Sequence, residues 1–165
     1  MANTIKLDRI NRRILEHLQS DARISNLALA EAVHLSPSAC LERVRKLEQQ
    51  GLVGRYIGEI NVTKAAPLLE AYAEITLLNH RPEDFLRFND HIQDEPAIIQ
   101  SHKVSGRYDF LVRIAVRDMA ALSALTDNLL AADIGIAKFT TVPIIENAKA
   151  YSGYPLASLI DEQHP

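Results

Sequence analysis

A chain of 165 residues, 47 % hydrophobic and 24 % charged, holds enough apolar material for two small cores, has no apolar run of membrane-spanning length, and has in Cys40 its one cysteine, so an internal disulfide is excluded. Net charge is −3, which by itself argues against a nucleic-acid partner, but residues 1–64 hold ten Lys/Arg against seven Asp/Glu while residues 65–165 hold eight against fourteen. A mildly basic head on an acidic body means that only the first part suits a polyanion. Met1-Ala2-Asn3-Thr4-Ile5-Lys6 has no apolar signal region, and with the single thiol this points to the cytoplasm.

Leu7, Ile10, Ile14 and Leu18 recur at helical spacing, Leu15 widens the stripe, and Asp8 is placed to cap a helix ending near Ser20-Asp21. A second short helix follows Ser25, with Leu29 and Val33 inward. His34 then stands where the turn needs positive φ, which histidine tolerates better than most residues. Ser36 caps a third helix, Pro37 takes its first position, and Gly51 stops it after Gln50. Three short helices with a tight turn before the third form a helix-turn-helix. Cys40, Leu41, Val44 and Leu47 are expected on its buried face. Arg43, Arg45 and Lys46 can reach phosphates or guanine edges, and Ser38 and Glu42 lie early enough to approach bases. The bland alternative is a solvated helix with ordinary surface charges; the turn, the Ser-Pro start and the buried stripe together favour DNA recognition.

Residues 52–66 read as an extended connector with Gly54 and Gly58. From Leu69 to Leu77 apolar and polar residues alternate as in a half-buried strand. Pro82 opens a helix with Phe85, Phe88 and Ile92 inward, and residues 97–104 form a second strand. A polar loop, Ser105 to Asp109, leads into a third strand carrying Phe110, Val112, Ile114 and Val116. Asp118 caps a helix with Met119, Leu122, Leu125 and Leu129 inward; Gly135 ends it, and a last strand runs from Ile136 to about Ile145. The order βαββαβ is a ferredoxin-like unit, so the fold class is α+β. In the 105–109 loop, Gly106 lets backbone N–H groups approach a ligand, and Asp109 could meet its ammonium, a combination suited to an amino acid zwitterion. The same loop also reads as a plain hairpin turn whose Asp bonds backbone. His102 is expected to pack on the sheet. Nucleotide-binding, hydrolase and metalloprotease motifs are absent, so neither cofactor, metal nor enzymatic activity is expected.

The segments Ala22-Arg23-Ile24-Ser25-Asn26, Leu35 to Glu48 and Gly51-Leu52-Val53 closely resemble the Lrp/AsnC family of transcription regulators, and the likeness continues through Val104 to Leu111 and Pro155-Leu156. The resemblance implies a winged helix-turn-helix over residues 1–52, a linker strand over 53–68, an effector-binding and oligomerisation (RAM) domain over 69–149 and a tail over 150–165. It implies DNA contacts from Ser36, Ser38, Arg43, Arg45 and Lys46. It implies an effector site using Gly106, Asp109, Met119, Thr140, Thr141, Val142, Pro143 and Ile144, with an amino acid or related catabolite as ligand. It further implies a palindromic double-stranded operator and self-association through the C-terminal sheets into dimers, tetramers or octamers. Phe139 stands where the family often has a threonine, and Pro143 interrupts its usual β-branched run. The rival readings are a nucleoid-organising DNA binder without effector, and an enzyme resembling the sirohaem decarboxylases, which should show a basic, histidine-bearing cleft that the acidic second part lacks.

Overall fold

Helix α1 (Arg9–Ser20) begins where Asp8 accepts the Asn11 N–H at 2.7 Å, and α2 (Asn26–Val33) begins where Ser25 accepts that of Ala28. The structure, a computed structural model, describes residues 5–160; Met1–Thr4 and residues 161–165, with His164, lie outside the described residues. They divide into two units, 5–59 with 149–160, and 60–148.

In the first unit His34 ends α2 in the left-handed region, φ 59°, and the Leu35 N–H donates back to Ala30 O at 2.9 Å. Ser36 Oγ then caps α3 (Pro37–Gln49) through the Ala39 N–H, as the sequence suggested. Ile14, Leu29, Val33, Cys40 and Leu47 are fully or nearly fully buried and close a small core. Leu41 departs from expectation: 39 % exposed, it lies a quarter-turn beyond the buried stripe. The expected wing is also not a paired strand. Residues 53–61 carry no regular element, and Val62–Lys64 forms a single 3-10 turn. The tail returns to this core: after Gly153, helix α6 (Leu156–Leu159) brings Leu156 and Ile160 against it.

The second unit is β1 (Leu69–Leu77), α4 (Pro82–Gln93), β2 (Ile98–Lys103), β3 (Phe110–Val116), α5 (Met119–Ala131) and β4 (Ile136–Pro143). All sheet pairs are antiparallel, in the order β2-β3-β1-β4. Ala71, Ala73, Ile75 and Leu77 with Phe110, Val112 and Ile114 form the buried face, covered by Phe88 and Ile92 of α4 and Leu122, Leu125 and Leu129 of α5. Glu70, Tyr72, Glu74 and Thr76 point to the other face, which no helix of this unit covers. Pro143 is tolerated because it is the last residue of an edge strand, where a missing ladder N–H costs little. Met119, expected inward, is 57 % exposed on the first turn of α5. His102 is exposed on edge strand β2 rather than packed.

Candidate nucleic-acid interface and small-molecule site

The buried stripe of α3 runs through Cys40 and Leu47, so 100° steps put Ser38, Glu42, Arg45 and Gln49 on the opposite side, flanked by Leu41 and Lys46. All six are exposed. The face combines cations, hydroxyl, amide and carboxylate groups and one leucine, the group types with which proteins contact phosphates, base edges and thymine methyls. Leu41, read from the sequence as part of the buried stripe, instead joins this exposed face, one 100° step from Cys40. Ser36 is taken up by its cap and by a 3.2 Å contact with Ser38 Oγ. Cys40 is fully buried in this core, and burial pushes its thiol up, away from the reactive thiolate.

Arg43 is placed differently. It is half-buried on the flank facing α1, where its Nη1 donates to Asp8 Oδ2 at 2.6 Å and to Asn11 Oδ1 at 3.0 Å. Burial alone pushes the Asp8 carboxyl up; the hydrogen bond and charge of Arg43, with the Asn11 N–H, outweigh it and hold the group below its usual range. A notch of about 330 Å³ opens beside this pair, lined by Asn11, Glu42, Lys46 and Gln50 among others.

In the second unit the 105–109 loop is pinned between two strands. The Asp109 N–H donates to Ile75 O at 2.8 Å, and Asp109 Oδ2 accepts the Leu77 N–H at 2.8 Å. His80 Nε2 lies 3.1 Å from Asp109 Oδ1. The carboxylate thus braces β1 against β3 across the sheet, rather than bonding backbone within its own turn, and Oδ1 keeps spare acceptor capacity for a cation. A Cβ on Gly106 would meet no atom within 4 Å, so the backbone there is open to approach. On the helix-free face a cavity of about 140 Å³ is lined by Glu74, Thr76, Arg107, Tyr108, Lys138 and Thr140. Arg107 donates to Glu74 Oε1 at 2.7 Å.

The register separates the eight candidate effector residues. Thr140 pairs with Glu74 on the open face, whereas Thr141 pairs with buried Ala73 and turns toward the helices. Val142, opposite Tyr72, returns to the open face. Pro143 pairs with Ala71, the Ile144 N–H donates to Glu70 O, and Met119 follows the end of β3, so these three share the end of the sheet remote from Gly106 and Asp109. Strand rise over Phe110–Val116 makes that separation roughly 20 Å. One protomer therefore brings Thr140 near the loop and leaves Met119, Pro143 and Ile144 far from it. Among the described residues no helix is long and apolar enough to cross a membrane, and no three His, Cys, Asp or Glu side chains are grouped to hold a metal.

Two family models match the chain, one to each part of it. The model of the AsnC-type helix-turn-helix domain matches residues 7–48, and that of the Lrp/AsnC ligand binding domain matches residues 70–154. The leucine-responsive regulatory proteins of Klebsiella pneumoniae and Escherichia coli K12 are each 41 % identical over 143 residues, 87 % of this chain and of theirs. An AsnC family transcriptional regulator from Agrobacterium tumefaciens matches with a TM-score of 0.85 at 28 % identity, over 93 % of this chain and 99 % of that one. A Neisseria meningitidis transcriptional regulator, solved as its L-Met complex, gives 0.87 at 26 % identity over the same shares.

Proposed function

The chain belongs to the Lrp/AsnC family of transcriptional regulators, and from that premise we propose how it reads DNA and what it senses. The outward face of α3 enters the major groove: Ser38, Glu42 and Arg45 address base edges, Ser36 sets the helix start, and Lys46 takes a phosphate. The observation that carries this reading is the exposure of Ser38, Leu41, Glu42, Arg45, Lys46 and Gln49 on one side of a helix whose other side is anchored in the core. Two copies read a palindrome, because one domain of charge about +3 makes too few phosphate contacts to bind firmly. The helix-free sheet face, with Tyr72 and Val142 exposed, is the surface for pairing. The regulator acts in the cytoplasm and carries out no catalysis.

The effector is an amino acid or related catabolite, held between protomers. Support for a shared site comes from the register: a single small ligand cannot touch both Asp109 and Pro143 of one chain. The L-Met complex of the Neisseria protein supports the ligand class.

The test is a salt titration on a duplex selected by the protein from a random library and on a scrambled one. Arg45→Ala should lose about 1–3 kcal/mol on the selected duplex alone, whereas Lys46→Ala should weaken both and flatten the salt slope by about 0.9 per protomer. Light scattering should give at least twice the 18.4 kDa chain mass. Equal, weak binding of both duplexes by a monomer would refute the reading.

A further inference from the structure

Arg43 is one of three cations on or beside the reading helix, yet the structure gives its Nη1 two acceptors on α1, Asp8 and Asn11, whereas Arg45 and Lys46 are exposed. Stability alone is a poor account of this pair. The Asp8 side chain is half exposed, and exposed ion pairs contribute little to folding. Asp8 caps α1 through its other oxygen, a task that asparagine performs as well without charge. What a carboxylate adds at this position is cancellation of a cation beside the phosphate track. An unmasked arginine there would strengthen attraction to every duplex alike, whatever its sequence.

We propose that Asp8 is a specificity-determining residue for DNA binding: its carboxylate, with Asn11, withholds Arg43 from the phosphate backbone and so suppresses sequence-indifferent affinity. The proposal rests on the DNA-binding reading above. It reassigns Arg43 from reader to masked cation, so that discrimination falls to Ser38, Glu42, Arg45 and their neighbours. It also makes a substitution that removes a negative charge from the interface harmful to selectivity while it improves binding.

The experiment is a salt titration of the full chain on the selected and scrambled duplexes, with wild type, Asp8→Asn, Arg43→Ala and the double variant. Asp8→Asn keeps the cap and removes the carboxylate, leaving the guanidinium only the neutral Asn11 Oδ1. Its affinity for the scrambled duplex should rise several-fold at low salt, its slope should steepen by about 0.9 per bound protomer, and the ratio of selected to scrambled affinity should fall. Arg43→Ala should leave the slope at the wild-type value, and the double variant should return to it. An Arg43→Ala slope shallower by about 0.9 would show the arginine already on a phosphate and overturn the proposal. So would an unchanged slope in Asp8→Asn, or a steep slope persisting in the double variant. A loss of α1–α3 packing alone moves affinity but not slope, and circular dichroism identifies it. If Asp8→Asn fails to fold, the Arg43→Ala slope alone still decides between a masked and a contacting arginine. Wild type that binds neither duplex instead refutes the DNA reading itself.

Discussion

Tyr56 shows how one side chain reports on its surroundings. Its hydroxyl donates to Glu48 Oε1 at 2.8 Å. Burial, then that hydrogen bond and the Glu48 charge, push its pKa from 10.0 up to about 12. A folded pKa above the unfolded one means that the contribution to stability is complete below about pH 10 and is lost as pH rises toward about 12. An ultraviolet phenolate titration should show one of the five tyrosines ionising last, and Tyr56→Phe should delete that step. Asp109 is a second residue-scale test. Asn at 109 can still accept the Leu77 N–H, so the loop should stay in place while the charge goes. Effector affinity, measured by calorimetry with whichever amino acid raises the melting point, should fall by roughly 1.5–3 kcal/mol, or about ten- to a hundredfold. Equal affinities would leave Asp109 a brace between strands and nothing more. His34, Ser36 and Gly51 were legible in the sequence because caps and left-handed turns obey rules that span four residues. Arg43 was not, since its partner Asp8 lies on another helix, and no spacing within α3 reveals that.

At the scale of elements, the order and bounds of helices and strands followed from periodicity almost residue by residue, because both units build cores from clean amphipathic faces. The exceptions are instructive. Residues 52–66 read as extended, yet 53–61 carry no regular element and Val62–Lys64 forms a 3-10 turn, since an extended segment becomes a strand only when another edge pairs with it. Met119 sits at helical spacing from Leu122 but lies on the first turn of α5, beyond the sheet that would cover it. Thr140 and Thr141 are neighbours in sequence and face opposite sides of β4, which a likeness read along the chain cannot tell. α3 depends on its start: Ser36 Oγ accepts the Ala39 N–H, one of the first-turn donors that have no partner within the helix. Ser36→Ala should cost about 0.5–2 kcal/mol of stability, measured as a lower denaturant midpoint at unchanged slope. An unchanged midpoint would mean that Pro37 and the turn alone hold the helix.

For the molecule as a whole, the two units keep separate cores, and the chain visits the first of them twice. Gln19 grips the returning backbone on both sides: its Nε2 donates to Tyr154 O and its Oε1 accepts the Tyr154 N–H, each at 2.9 Å. Gly153 has φ +95°, and a Cβ there would come within 2.1 Å of Gln19 Cδ. Gly153→Ala should therefore loosen the grip and destabilise the helical unit by roughly 1–2 kcal/mol, read as a lower melting point. Adding Gln19→Ala removes the collision but not the backbone strain, so the double variant should recover part of the loss; no recovery would mean that the contact with Gln19 is incidental. The same arrangement has a consequence in time. Leu156 and Ile160 complete a core begun by Leu7 and Ile14, so α1–α3 wait for residues 60–148 to be made before these partners arrive. At about 5–20 residues per second that delay is roughly 4 to 18 seconds. In the finished fold Leu7, Leu15, Leu18 and Leu52 line one pocket together with Leu156 and Ile160, so during the delay these leucines lack that part of their apolar wall. Translation speed over the sensing domain thus sets how long the DNA-reading domain remains unfinished.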